Sequence, residues 1–345
     1  MARKITVRAA DPGADRAAWL DVIARNMEGA FGGARRFDWL HRDNPAGPSH
    51  LWVAECEGRI VGTSAAIPKP FVVDGRESVA LNLTDFALER EFRWGGPALQ
   101  LLRATLEPVR EGLHALSYDH GNEGMMALYR RIPGAFVCET RRWALPFRVS
   151  RALGRAPRAL GRAADGLLGL CWRLRHRARG VRVEPLDGGY GEEFRGLPPG
   201  PGIAGVRSPE FLEWRYRRNI LAPHYGLKAY RAGTLVGHLG YRIPDPALHT
   251  KWGDTPNVYS IVELRASDPA VAGALLGALI RDACRSGANG IWTTAAGGSP
   301  MGDFWRSLGF RPRDLAPAMA VVAAPGLEST VKPERLWIFE GDREG

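Results

Sequence analysis

Arg93-Trp94-Gly95-Gly96-Pro97-Ala98 places a permanent cation, two positions without side chains and a proline in one turn ahead of a leucine-rich run, LQLLRATLEPV. The chemistry open to such a turn is anion binding. A helix N-terminus has unpaired backbone N–H groups and a partial positive charge. Glycines let that backbone approach a phosphate closely, and Arg93 adds a fixed charge. Pro97 suits the first helical position but has no N–H, so one phosphate donor is lost. Gly-rich turns before helices are common, so these six residues take their meaning from the elements that must position them.

Those elements occur twice. WLHRDNPAGPSHLWVAECEGRIVG (39–62) and WRYRRNILAPHYGLKAYRAGTLVG (214–237) share eight of 24 positions at a constant offset of 175, among them Trp39/Trp214, Asn44/Asn219 and Gly58/Gly233. Composition alone would give about one or two matches. The same offset pairs Leu101/Leu276, Arg110/Arg285, Gly112/Gly287, Arg131/Arg306 and Gly134/Gly309. A solenoid repeats every ~20–50 residues, so a period this long marks a duplicated domain.

Each copy reads as a helix (DRAAWLDVIARNM), a Trp-bearing helical stretch, and a hairpin turned at a glycine. A strand follows (79–88; 257–264), then a helix (97–111; 269–286), another strand (LHALSY; NGIWTTA) and a helix ending near Gly134 or Gly309. That order predicts an α+β fold of two tandem domains with mixed sheets. The expected divisions are 1–146, a helical linker 147–182, a second domain 183–326 and a tail 327–345. The tail reads as a last strand and an acidic end without decisive chemistry.

The net charge of +10 is local: residues 141–182 hold twelve arginines and one aspartate, and the rest of the chain sums to −1. Arg148, Arg151, Arg155, Arg158 and Arg162 recur every three or four residues and are expected on one helix face, with Pro157 kinking or splitting that helix. Two readings stand side by side: a solvated inter-domain helix, or a surface that docks an anionic membrane or a phosphate-rich acceptor, with GLLGLCW as its apolar face. No apolar run approaches the ~18 residues of a spanning helix, and the N-terminus lacks an apolar signal core. Cys56, Cys138, Cys171 and Cys284 form no CxxC pair, which predicts reduced thiols, no zinc site and a cytoplasmic protein, with the inner membrane face as the place of any peripheral contact.

Each copy resembles the GCN5-related N-acetyltransferase (GNAT) domain, and the whole resembles tandem-GNAT proteins, over roughly 3–145 and 183–325. The family carries an Arg/Gln-x-x-Gly-x-Gly/Ala loop between its fourth strand and a helix, matched here at Arg93, Gly96 and Ala98. It also shows an Asn followed seven residues on by a Tyr, matched by Asn122 and Tyr129. Gly134 lies five residues beyond Tyr129, where four is usual. The resemblance implies two mostly antiparallel sheets flanked by helices, an acyl-CoA co-substrate, usually acetyl-CoA, no metal, and a primary-amine acceptor such as a small molecule or an amino sugar. It implies further that the splayed strand Phe86-Ala87-Leu88 offers a backbone N–H to the thioester oxygen, and that the 93–98 loop and Asn122 serve the cofactor. Tyr129 would be the acid for the leaving thiolate, with a half-buried helix tyrosine as the alternative. The base is open between Asp85, on the strand before the loop, and His120, which follows Asp119 at the end of the next strand.

The second copy has lost these parts. Asp268 stands where Arg93 does and Val271 where Gly96 does, and the tyrosine position falls at Phe304 or Trp305. It is expected to be a structural partner or an acceptor-site wall. Two other classes fit the doubled shape. Fem-like aminoacyl-tRNA-dependent peptidyltransferases would use the basic linker on RNA, but no aromatic-plus-basic stacking platform is present and nucleic acid is not the expected partner. The other is a scaffold with a relict cofactor loop.

Overall fold

The computed structural model describes residues 4–27, 33–93, 96–147, 158–176, 179–243 and 257–343, with backbone only at 158–165 and 173. Trp94, Gly95, Arg148, Arg151, Arg155 and Pro157 of the sequence reading lie outside the described residues.

The first copy runs β1 (Ile5–Ala9), α1 (Arg16–Asn26), α2 (Gly33–His41), β2 (His50–Cys56), β3 (Arg59–Val73), β4 (Arg76–Leu88), α3 (Gly96–Arg110), β5 (Leu116–Asp119), α4 (Glu123–Tyr129) and β6 (Ala135–Pro146). The linker helix α5 (Arg158–Arg175) follows. The second copy runs β7 (Arg182–Pro185), β8 (Ile203–Gly205), α6 (Pro209–Leu212), β9 (Tyr225–Arg231), β10 (Thr234–Arg242), β11 (Val258–Ala266), α7 (Pro269–Arg285), β12 (Gly290–Ala296), α8 (Pro300–Ser307) and β13 (Arg311–Ala323), and the tail adds β14 (Leu336–Trp337). The hairpin turns carry residues with positive φ, Glu57-Gly58 in one copy and Ala232-Gly233 in the other, which is the primed-turn geometry that two-residue hairpins favour.

Among the described residues the strands join one sheet in the order β1-β2-β3-β4-β5-β13-β6-β12-β11-β10-β9-β7, with β8 branching from β3 and β14 pairing with β8. The order is reciprocal at its centre. β13, from the second copy, pairs with β5 through Ala320↔Asp119 to Ala323↔Leu116 and with β6 on its other side. β6, from the first copy, pairs in turn with β12 through Ala296↔Thr140 to Gly290↔Pro146. Each copy's last strand thus lies against the other copy's second-to-last. The divisions at 146 and 183 part the chain without parting the sheet.

In the first copy α3 and α4 bury Leu101, Leu102, Leu106, Met126 and Tyr129 on one face of the sheet. Helices α1 and α2 bury Trp19, Val22, Ile23 and Phe37 on the other. The recurrent tryptophans meet between the copies. The Trp39 indole donates to the Trp214 carbonyl at 3.0 Å and the Trp214 indole to the Trp39 carbonyl at 2.8 Å, with ring centroids 5.4 Å apart. A reciprocal pair of this kind needs the same residue at the same place in both copies, which explains the recurrence by packing.

The tail is buried rather than peripheral. β14 pairs with β8, and Val331, Leu336 and Ile338 pack with Phe71, Tyr118 and Met319. The Asp342 carbonyl accepts from Lys69 Nζ at 2.7 Å and from the Tyr118 hydroxyl at 2.9 Å, and the Asp342 carboxylate binds Arg207 at 2.6 Å.

Candidate active site

β4 and β5 are parallel and pair only through Ala80↔Leu116, Leu81↔Ser117 and Asn82↔Tyr118. Beyond that point β4 continues on β3 alone to Leu88, and β5 ends at Asp119. β4 also carries one extra residue where Thr63 faces Ala87 and Ala65 faces Thr84. Within this bulge Asp85 takes φ 52°, a left-handed conformation unusual for a non-glycine residue. The Thr63 hydroxyl holds the Asp85 carbonyl at 2.9 Å. A bulge at this place re-aims the backbone of Phe86, Ala87 and Leu88.

The chain then turns through Arg90–Phe92 into α3. Arg93 is exposed. Its Nε donates to the Leu88 carbonyl at 2.8 Å and a terminal nitrogen to Asn26 Oδ1 at 3.1 Å, which ties the strand end to the end of α1. Gly96 is exposed, and a Cβ placed there would meet no atom within 4 Å. Ile5, Gly96, Pro97, Leu99, Gln100 and Arg103 line an open pocket of ≈ 450 Å³ at this helix start. An open first turn with Arg93 and Arg103 beside it fits a diphosphate. Ala98 is buried and so seats the helix.

The corresponding helix start in the second copy is filled by the chain itself. Asp268 accepts from Val271 N–H at 3.0 Å and pairs with Arg231 at 2.7 Å; these two contacts lower its pKa to about 2. The charge that would repel a diphosphate is therefore fixed at the place where one would bind. Val271 is fully buried.

Asp119 and Tyr129 come together, both buried. Asp119 is the first residue past the last β4–β5 pair, and Tyr129, near the C-terminus of α4, lies with its hydroxyl beside the Asp119 carboxyl. Burial raises the Asp119 pKa to about 7, against the Tyr129 hydroxyl and the Arg343 charge, which favour its ionised form. Burial and then the Asp119 charge push the Tyr129 hydroxyl well above its usual value. His120 is half-buried, and burial, Arg343 and Lys69 hold its pKa well below the ordinary imidazole value. Asn122 serves α4 as its N-cap, accepting from Met125 N–H at 3.0 Å.

Asp85 is placed differently. Its carboxylate is buried, 2.8 Å from Arg36 and 3.0 Å from His41 Nε2, and His41 Nδ1 lies 3.1 Å from the Ser49 hydroxyl. Although burial alone would raise its pKa, Arg36 and His41 drive it strongly downward. A carboxylate so committed is a weak base, which argues against Asp85 as the proton acceptor. The second copy repeats the device: buried Glu263 on β11 accepts from the Tyr216 hydroxyl at 2.5 Å and pairs with Arg207 at 2.7 Å, and Tyr216 stands 175 residues after His41. An acid on the strand ahead of the cofactor-loop position (β4 or β11), held by the residue two past the shared tryptophan, thus serves as a structural brace. Asp85→Asn is expected to destabilise the fold by about 3 kcal/mol, because removing one partner strands a buried charge. Denaturant titration at pH 7 measures this, and a change under ~1 kcal/mol would exclude the brace.

Sequence reading paired Asp119 with His120 but did not anticipate Arg343, nor that Arg36 and His41 would capture Asp85. The offset of 175 between His41 and Tyr216 was the available signal. Among the described residues, no group of three or more His, Cys, Asp or Glu is arranged to hold a metal ion.

No protein-family model matches the sequence, and no curated protein matches it either. Solved structures do. A conserved Enterococcus faecalis V583 protein, described as a probable N-acyltransferase, aligns with a TM-score of 0.65 at 13% identity over 94% of this chain and 74% of that one. A GCN5-related N-acetyltransferase from Anabaena variabilis ATCC 29413 aligns at 0.62 and 13% over 92% and 72%. A tandem GNAT protein from the clavulanic acid biosynthesis pathway aligns at 0.51 and 15% over 93% and 98%. At such identities the likeness is one of fold, and the chain is folded as two tandem GCN5-related N-acetyltransferase domains.

Proposed function

We propose that the chain is an acyl-CoA-dependent N-acyltransferase, with acetyl-CoA as the donor, a primary amine of a small molecule or amino sugar as the acceptor, and the first copy as the catalytic half. One contrast carries the reading. The N-terminus of α3 is open at Gly96 beside Arg93 and Arg103, whereas that of α7 is closed by Asp268. The similarity in fold to N-acetyltransferases supports it.

Arg93, Gly96 and the first turn of α3 would hold the diphosphate, and Trp94 and Gly95 belong to the same loop. When bound, the thioester supplies an activated acyl carbon. Positioning is then the main task. The backbone N–H groups of Phe86–Leu88, past the bulge, are the donors for the carbonyl oxygen as it gains charge. A primary amine is mostly protonated at neutral pH, and Asp119, poised near 7, is the group whose affinity suits taking a proton as nitrogen attacks. Tyr129, which burial and the Asp119 charge keep protonated, would donate a hydrogen bond to the sulfur as the thiolate departs.

The test separates loop from fold. Gly96→Val adds atoms where there is open space, so its melting temperature should match the parent's, while its acetyl-CoA affinity should fall about tenfold or more. Calorimetric titration of both proteins measures this. Absence of acetyl-CoA binding by the unsubstituted chain refutes the reading.

A further inference from the structure

We propose that α5 docks the protein on an anionic lipid bilayer. The proposal is independent of the reaction assigned above. Six large apolar side chains stand exposed among the described residues, and three of them, Leu167 (62%), Leu170 (43%) and Leu174 (61%), lie within eight residues of α5. At spacings of three and four they form one stripe along the helix, with the exposed Cys171 between them.

The opposite face of α5 is already in use. Gly169 approaches Cys284 of α7, and His176 approaches Gly273 and Gly277 of the same helix. The Trp172 indole donates to the Pro146 carbonyl at 3.2 Å, and Arg175 donates to the Ser307 carbonyl at 3.0 Å. The helix is therefore anchored to the molecule by one face and presents its leucines on the other. A contiguous exposed apolar stripe of this kind marks an interaction surface.

The charge of the sequence segment that holds the stripe selects its partner. The segment 141–182 carries +11, while the remainder carries −1. A second copy of the chain would bring the same positive charge against itself. A nucleic acid would use the arginines but not the leucines. An anionic bilayer uses both, as it draws basic segments to its surface and takes an amphipathic helix into its interface with the apolar side down. The helix lies on the bilayer without crossing it, since no described helix is long and apolar enough to span one.

The experiment is sedimentation of the full chain with vesicles of phosphatidylglycerol and phosphatidylcholine, against vesicles of phosphatidylcholine alone. Binding is expected to the first only, and it should weaken as salt rises from about 0.05 to about 0.5 M. The triple substitution Leu167→Gln, Leu170→Gln, Leu174→Gln should reduce vesicle affinity about tenfold or more, with acetyl-CoA affinity and melting temperature unchanged because the three side chains are exposed. No binding to phosphatidylglycerol at low salt, or undiminished binding by the triple variant, overturns the proposal. So does a dimer in analytical ultracentrifugation that the substitutions abolish, or RNA binding that competes with the vesicles and ignores the leucines.

Discussion

Asp119→Asn is expected to remove most turnover and, at the same time, to make the folded protein more stable above neutral pH. As the proposed general base, Asp119 would contribute about 10²–10⁴ in rate, and asparagine cannot accept the proton. The stability effect follows from the same burial. The carboxyl rises from 3.8 to about 7 on folding, so the folded state binds its proton more tightly than the unfolded one. That preference favours folding fully below the unfolded value and is lost as pH rises through about 7, where the buried group must ionise. The cost is on the order of a few kcal/mol. Asparagine resembles the neutral carboxyl in shape and cannot ionise, so the variant should show a flatter stability profile between about pH 4 and 8. Paired measurements of turnover and denaturant midpoint across that range test both halves. A variant that keeps its activity removes Asp119 as the base; one that keeps the parental pH slope removes the burial argument. If Tyr129 acts on the leaving group as proposed, Tyr129→Phe should lower kcat with little change in acetyl-CoA affinity, because its hydroxyl would meet the sulfur and not the diphosphate.

The parts of this molecule that were legible in its sequence are the ones encoded over short distances. Alternating apolar residues around Gly58 make a hairpin, and a leucine-rich run after Gly96-Pro97 makes a helix, whatever lies elsewhere. The duplication was legible because Trp39 and Trp214 must be the same residue to meet reciprocally. What the sequence concealed depends on partners far along the chain. Asp85 looked available because nothing near it marks Arg36 or His41, which reach it from α2. The tail looked inert because its acidic end finds Arg207, Lys69 and Tyr118 only after the whole sheet has formed. The place of β13 between β5 and β6 has no local signature at all. An inward-facing valine on β13 reads the same whether the strand closes its own half or the other.

That exchange leads to the second expected result: residues 1–147 alone should fail to form a cooperative fold, whereas fragments 1–147 and 158–345, produced together, should copurify and bind acetyl-CoA. Without β13, β5 keeps one neighbour and β6 keeps none within the first copy. Ala320 and Val322 leave one face of the sheet and Met319 and Val321 the other, so both cores open at once. Exposed strand edges of this kind aggregate. The peptide link through α5 is not among the contacts that close the sheet, so cutting it lowers the effective concentration of the halves without removing a strand. Circular dichroism melting of the single fragment, and calorimetry on the copurified pair, measure the outcome. A cooperative transition and acetyl-CoA affinity in 1–147 alone would refute it. The exchange also accounts for the second copy persisting with its helix start closed by Asp268. Asp119, on which the proposed acyl transfer rests, ends β5, β5 is held by β13, and β13 belongs to the half whose helix start is closed by Asp268.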